Sequence, residues 1–390
     1  MKIIPSAGTP IDLNDLIRGL TDSRGVFNFE RILKRYIGVK NVFALCSGTA
    51  SFFVLLKIFH DRKPDRDEVI IPAYTAPVLY LPIKSLGLKI RLVEVSLTTF
   101  NMYVDEIEEA VSEKTLCIVP VHLFGIPTEM DRISRIAEKR DILILEDAAQ
   151  SLGSKIAGRM TGSFGMGSIC SLHRGKNIST YSGGFIATDY DDLAFEVKKF
   201  VNQLPAHGPL SGLINALKVF LVAIFVRPFW YGTFYFMITH FKSIDLHTSF
   251  DLSRYSEFQG AVGASLMEKM ELFSEVRKKN GTFLLDSLSN FRKVVVPEID
   301  SHMHVAFNQF PLLVKDKAKI EQLRNELWKE GIETSRMYLK PMHHHFELGY
   351  NKKLFPNATF MAEHLVLLPT HPFVGERDLQ KMTRIIRKTL

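Results

Sequence analysis

Three short segments of this sequence hold residue types that could act together on a small molecule. Asp147 follows the apolar run ILILE, in the segment EDAAQ. In an open α/β sheet, ligands bind outside the carboxyl ends of the strands, and a carboxylate there can pair with a protonated heterocyclic nitrogen. Lys176 lies in SLHRGKNISTYSGG, a polar, glycine-containing loop after another apolar run. A lysine amine in a tuned environment forms a Schiff base with an aldehyde cofactor. SGTA at 47–50 separates an apolar strand from an apolar helix. Small residues there let backbone N–H groups face an anion, and the helix N-terminus favours negative charge, so a phosphate fits. Taken singly, each segment has an ordinary reading as a turn former, a solvated lysine or a helix cap.

The elements that must position these residues alternate along the chain. FERILKRYIG reads as a helix, VFALC as a strand, SFFVLLKIF as a helix and EVIIPAY as a strand. KIRLVEV (89–95) and TLCIVPV (115–121) read as short buried strands, followed by a helix over 129–140 and the strand ILILE over 142–146. ICSL and GGFIAT (183–188) add two strands. This alternation predicts an α/β fold with a large, mostly parallel sheet. From about residue 250 the pattern changes to a helix over 255–290, strand-like HVAFNQFPLLV, and helices over 316–330 and 376–390. The expected division is a large domain over 1–250 and a smaller α+β domain over 251–390. GSFGMGS (162–168) lacks the strand-to-helix setting of a dinucleotide loop and reads as a turn. No internal repeat stands out.

Composition narrows the function classes. The chain has 390 residues, 46% hydrophobic and 23% charged, which is ordinary globular usage. A net charge of +7 favours an anionic partner such as a phosphorylated ligand or an acidic membrane surface. No arginine-rich tract or nucleic-acid module stands out, so no nucleic-acid partner is expected. Cys46, Cys117 and Cys170 form no CxxC pair, so neither a disulfide framework nor a metal site is expected, and the reducing cytosol is the natural compartment. The segment MKIIPSAGTPIDLNDL lacks the apolar core of a signal peptide.

The order SGTA, IPAYT, PVHLFG, EDAAQ and then the SLHRGKN lysine loop resembles the DegT/DnrJ/StrS family of fold-type I aminotransferases, which mostly aminate keto sugars. The resemblance extends to YLKPMHH and LGY near 338–350. It implies pyridoxal 5'-phosphate as cofactor, held by Lys176 as an internal aldimine. It also implies that Asp147 binds the pyridinium nitrogen and Gln150 lies near the ring hydroxyl. Gly48 and Thr49 would hold the phosphate mainly through backbone amides, and Ser171, five residues before Lys176, would add a hydroxyl. Tyr338 and His343 would lie on the substrate side, and His173 near the cofactor. The family works as a homodimer with sites at the interface. An amino acid, glutamate being the expected donor, would supply the amino group to a ketone. Dehydratases of the same family replace the lysine with histidine, so Lys176 points to amination.

Several positions depart from the family pattern. Ala76 stands where relatives place an aromatic residue on the cofactor ring, and Tyr74 is a candidate substitute. In DLSRYSEFQGAVG, Arg254, Glu257 and Gln259 match, but Leu252 takes the place of an asparagine that reaches the phosphate across the dimer. Ser182 replaces an acidic residue, and the segment between 20 and 30 is short. These departures accompany an apolar insertion at 213–241, LINALKVFLVAIFV and PFWYGTFYFMITHF separated by Arg227. Each half as helix reaches ~21 Å, short of a ~30 Å bilayer core. Lys218, Arg227 and Pro228 disfavour one joined span. The expectation is a monotopic, in-plane attachment at the inner face of the cell membrane. The acceptor would then be lipid-linked or lipidic. The alternatives are a soluble nucleotide-sugar aminotransferase and a membrane scaffold without turnover.

Overall fold

The computed structural model describes residues 2–206, 209–235, 237 and 249–390. Seven strands build the main sheet: β1 (Asn41–Leu45), β2 (Glu68–Pro72), β3 (Lys89–Val93), β4 (Thr115–Ile118), β5 (Leu143–Asp147), β6 (Gly167–Ser171) and β7 (Gly184–Thr188). Their order across the sheet is β1-β7-β6-β5-β4-β2-β3. From β6 to β3 the pairing is parallel, while β7 and β1 join antiparallel at one edge. The mostly parallel sheet expected from the sequence is present.

Helices flank it: α1 (Leu13–Thr21), α2 (Gly25–Ile37), α3 (Gly48–Arg62), α4 (Met130–Lys139), α5 (Asp191–Gln203), α6 (Pro209–Phe225), α7 (Pro228–Thr233), α8 (Glu257–Met267) and α9 (Met270–Leu288). The strands read as continuous apolar runs because both faces are covered. Ile70, Ile118 and Ile144 pack with Met130 and Ile133 of α4. Their sequence neighbours Val69, Ile71, Cys117 and Leu145 share a core with Leu55 and Phe59 of α3. Side chains alternate across a strand, so Asp147 lies on the α3 side of β5 and Glu146 on the α4 side.

The C-terminal part holds a small antiparallel sheet of β8 (Val294–Val295), β9 (Phe310–Val314) and β10 (Leu365–Leu368), with α10 (Ile320–Lys329) and α11 (Glu376–Thr389). Contacts cross the division expected at 250 in both directions. Ile4 N–H donates to Gly331 O at 2.8 Å and Glu333 N–H to Ile4 O at 2.9 Å, tying the N-terminal segment to the C-terminal part. In the other direction, α8 packs on α1 and α2. The single helix expected over 255–290 is two helices. At the break, Lys269 Nζ turns to Asp12 at 2.6 Å and Asp15 at 2.7 Å.

In the apolar insertion, α6 buries Val219 and Ala223 in a core shared with Leu16 of α1 and Val262 of α8. Its other side exposes Leu213, Leu217, Leu221 and Ile224, one helical row. Pro228 opens α7 at its first turn, where a missing N–H costs nothing. Among the described residues no helix is long and apolar enough to cross a membrane. Residues 236 and 238–241 of the insertion lie outside the described residues.

Candidate active site

Asp147, Ser171 and Gly48 meet because their strands do. Asp147 ends β5 and registers with Ile169 of β6. Ser171 ends β6 and registers with Gly184 of β7, and Leu45 of β1 faces the same glycine. The chain then turns into α3, where the Ser47 hydroxyl accepts from Ala50 N–H at 3.0 Å and caps the helix. Gly48 and Thr49 are the first two residues of α3, and first-turn N–H groups have no intrahelical partner. A Cβ added at Gly184 would lie 2.4 Å from Gly48 N, and one added at Gly48 would lie 3.1 Å from Ser171 Cβ. Two glycines therefore let the β7 backbone, the α3 N-terminus and Ser171 close on one small cradle.

Asp147 is buried, and its Oδ1 accepts from Ala149 N–H at 2.9 Å. Burial raises its proton affinity; the Ala149 N–H and the Lys176 charge oppose that without cancelling it. Lys176 is only partly exposed. Removal from water lowers the proton affinity of its amine, and Asp147 followed by Cys170 pull the other way. The pair thus sets a buried carboxyl near an amine biased towards its neutral, nucleophilic form. The lysine loop is fixed on both sides. Lys176 N–H donates to His173 O at 3.2 Å, and Asn177 Nδ2 reaches Leu152 O at 2.7 Å and Ala306 O at 3.0 Å. His173 itself is exposed at the surface of the loop.

Gln150 joins three segments. Its Oε1 accepts from Phe124 N–H at 3.0 Å and its Nε2 donates to Tyr338 Oη at 3.3 Å. Phe124 and Tyr338 both hold positive φ, at 59° and 46°, a backbone region that non-glycine residues seldom occupy. Burial, then the Asp147 charge, raises the Tyr338 phenol above its ordinary range. Tyr74, the candidate to stand in for Ala76, is fully buried, and its hydroxyl is spent on Met337 O. Its ring lies 5.6 Å from that of Tyr338, so Tyr74 backs Tyr338. His343 is buried beside Phe355, ring centres 5.2 Å apart, and Met342 N–H before it donates to Ala73 O at 2.9 Å. That seats the histidine next to the carboxyl end of β2.

The family-matched residues near 254 act within the chain. Gln259 Nε2 donates to Thr180 O at 2.9 Å and Ser182 O at 3.2 Å, holding the far end of the lysine loop. Glu257 accepts from Val26 N–H at 3.0 Å. Leu252 packs against the main core.

Sequence reasoning assigned no role to the turn at 162–168 or to the histidine of PVHLFG. In the structure the two meet. Glu146, on the opposite side of β5 from Asp147, accepts from His122 Nε2 at 2.8 Å, Phe164 N–H at 2.8 Å and Gly165 N–H at 3.2 Å, and also from Gly162 N–H at 2.5 Å. The signal was a carboxylate at the end of an otherwise apolar strand and a glycine-rich turn with no ligand.

The model of the DegT/DnrJ/EryC1/StrS aminotransferase family matches residues 14–212 and 241–387. A GDP-4-keto-6-deoxy-D-mannose 3-dehydratase of Yersinia pseudotuberculosis is 29% identical, over 80% of this chain and 76% of that protein. A UDP-N-acetyl-3-dehydro-alpha-D-glucosamine 3-aminotransferase of Acidithiobacillus ferrooxidans is 23% identical, over 90% of this chain and 85% of that protein. In fold, the chain is similar to the sugar aminotransferase CalS13 of Micromonospora echinospora, with a TM-score of 0.79, 23% identity and full coverage of both chains.

Proposed function

The chain belongs to the DegT/DnrJ/EryC1/StrS aminotransferase family, and from that premise we propose that it transfers an amino group from an amino acid, glutamate first among candidates, to the ketone of a nucleotide-linked sugar. It is a fold-type I enzyme of the pyridoxal phosphate class. Gly48 and Gly184 let the α3 N-terminus, the β7 backbone and Ser171 approach closely, and the first-turn N–H groups of α3, which lack intrahelical partners, are the donors a phosphate takes.

When bound, pyridoxal phosphate supplies an aldehyde carbon that takes the amino group and a ring that accepts electrons. The protein's part falls to its own residues. Asp147, buried at the end of β5, would hold the ring nitrogen and favour its protonated form. Lys176 would hold the cofactor through Nζ, and the same nitrogen is the group placed to act as base and acid. Its lowered proton affinity keeps that nitrogen available as a base. Gln150 and Tyr338 close the polar edge of the site.

The observation that carries this reading is Lys176, set near Asp147 in a family that also contains dehydratases. The nucleotide-sugar acceptor is supported by the names of two relatives, one acting on a GDP-linked and one on a UDP-linked keto sugar. The test is a single-turnover assay of the aminated enzyme with UDP- and GDP-linked keto sugars. Return of the pyridoxal form with any of them supports the acceptor class; none, against turnover with a keto lipid extract, rejects it.

A second reading of the acceptor rests on the exposed row Leu213, Leu217, Leu221 and Ile224, continued by Phe229 and Trp230 of α7. No Asp or Glu occurs between Glu196 and Asp245, whereas Lys198, Lys199, Lys218, Arg227 and Lys242 do. We propose that this face rests on the anionic cytoplasmic surface of a membrane, as an amphipathic in-plane segment does. The keto substrate would then be lipid-linked. Co-flotation with phosphatidylglycerol vesicles, lost in a Leu217→Ser, Leu221→Ser double variant, is expected. A wild type that stays at the bottom of the gradient rejects this reading and leaves the nucleotide-sugar assay to stand alone.

A further inference from the structure

The strongest unassigned feature is the buried network behind Asp147. His122 and Glu146 are both fully buried. His122 makes two kinds of contact. Its backbone N–H donates to Asp147 O at 3.1 Å, while Asp147 N–H donates to Pro120 O at 2.9 Å. Its ring bonds Glu146 through Nε2 at 2.8 Å. Nδ1 accepts from Thr128 N–H at 2.9 Å, so the proton sits on Nε2, the ring is neutral, and Nε2 donates to the carboxylate. Glu146 is satisfied as an acceptor by His122 and by the N–H groups of Gly162, Phe164 and Gly165, and among the described residues no lysine or arginine pairs with it. Burial alone would raise its proton affinity, but these donors overcome that and hold it below the ordinary carboxylate value. A buried charge is costly to keep.

We propose that His122 and Glu146 are positioning residues for Asp147. His122 fixes its backbone, and Glu146 adds a permanent second negative charge one residue away on the opposite face of β5. The consequence is electrostatic. Two adjacent buried carboxylates make Asp147 a stronger partner for a cationic ring nitrogen than one would be. The other ionisable groups acting on Asp147 are Lys176 and Cys170 from the β6 side, Tyr338 from the C-terminal part and His122 itself. Of these, Lys176 and any proton shared by His122 oppose Glu146. The glycine-rich turn at 162–168 then has a purpose: it is an anion cradle filled by the protein's own carboxylate.

This inference rests on the reading of Asp147 as the cofactor's partner, so the experiment separates the two. Wild type, Glu146→Gln, His122→Leu and His122→Gln are each titrated with pyridoxal phosphate, and the absorbance of the lysine-bound cofactor is followed against pH. A wild type without that absorbance refutes the underlying site reading. Given a wild type that has it, Glu146→Gln and His122→Leu are expected to bind the cofactor roughly tenfold more weakly, the scale on which outer-shell partners act in metal sites. In Glu146→Gln the pH midpoint should move to lower pH, because a removed anion destabilises the cationic form. His122→Gln, whose amide can still donate to Glu146 and accept from Thr128, should recover most of the affinity. A merely structural pair would lower the melting temperature yet leave affinity and midpoint at wild-type values in every variant that folds, and that result overturns the proposal. Should His122→Leu not fold, Glu146→Gln alone decides.

Discussion

Gln150 and Tyr338 are 188 residues apart in sequence, and the Gln150 amide donates to the Tyr338 phenol at 3.3 Å. This bond links the carboxyl end of β5 to the C-terminal part across the site. Tyr338→Phe removes the acceptor and keeps the ring that Tyr74 supports. A neutral hydrogen bond contributes about 1 kcal/mol net. Cofactor affinity should therefore fall roughly fivefold, read by absorbance titration, with little change in thermal stability. A loss of the fold instead would mean the phenol is a core strut.

The cradle between β7 and α3 should tolerate no side chain at 184. Gly184→Ala places a Cβ 2.4 Å from Gly48 N, so the α3 N-terminus must shift. The enzyme should then lose its preference for pyridoxal phosphate over pyridoxal, because only the phosphate uses those N–H groups. Comparing the two dissociation constants in wild type and variant checks this. Equal loss for both ligands would place the phosphate elsewhere.

Much of this was legible in the chain. The strands announced themselves because both faces of the sheet are covered, so VIIP and ILIL read as unbroken apolar runs. SGTA, Asp147 and Lys176 were visible as local chemistry at strand ends. What the sequence hides is pairing at long range. Nothing periodic joins His122 to Glu146, or Gln150 to Tyr338, and the break at Lys269 depends on the α1 carboxylates more than 250 residues earlier. Tyr74 looked like a candidate for the cofactor face because Ala76 stands where relatives place an aromatic residue. Only the fold reveals that its hydroxyl is turned to Met337 O.

Glu30 gives a pH-dependent stability. Burial, partly offset by the Ala44 N–H, pushes its carboxyl up to about 7 from 4.5. The folded state then binds a proton more tightly than the unfolded chain. Stability from this group is present below about pH 4.5 and is lost as pH rises through 7. Glu30→Gln should stabilise the protein by about 2–3 kcal/mol at pH 8 and by little at pH 5. Urea melts at both pH values test it; an equal effect at the two would contradict the shifted ionisation.

Arg277 is fully buried, and among the described residues no carboxylate pairs with it. Instead it donates to four carbonyls: Phe307 at 3.4 Å, Asn308 at 3.0 Å, Gly8 at 3.2 Å and Asn177 at 3.3 Å. It thereby ties the residue after Lys176 to the N-terminal segment and the C-terminal part. Thr370 Oγ1 also donates to Phe307 O at 2.8 Å, so Arg277→Leu takes the donor chiefly from the Gly8, Asn177 and Asn308 carbonyls and should cost roughly 3 kcal/mol in urea unfolding. Arg277→Lys, lacking the planar fork, should recover only part of it.

The central claim is that Lys176 binds pyridoxal phosphate covalently and serves transamination. The direct measurement is borohydride reduction of the cofactor-loaded enzyme followed by peptide mass analysis, paired with the absorbance change on adding glutamate. The cofactor's mass should be fixed on the peptide carrying Lys176, absent in Lys176→Ala, and glutamate should convert wild type to the pyridoxamine form. A reduced adduct on another lysine, or an unmodified protein under saturating cofactor, would contradict the account.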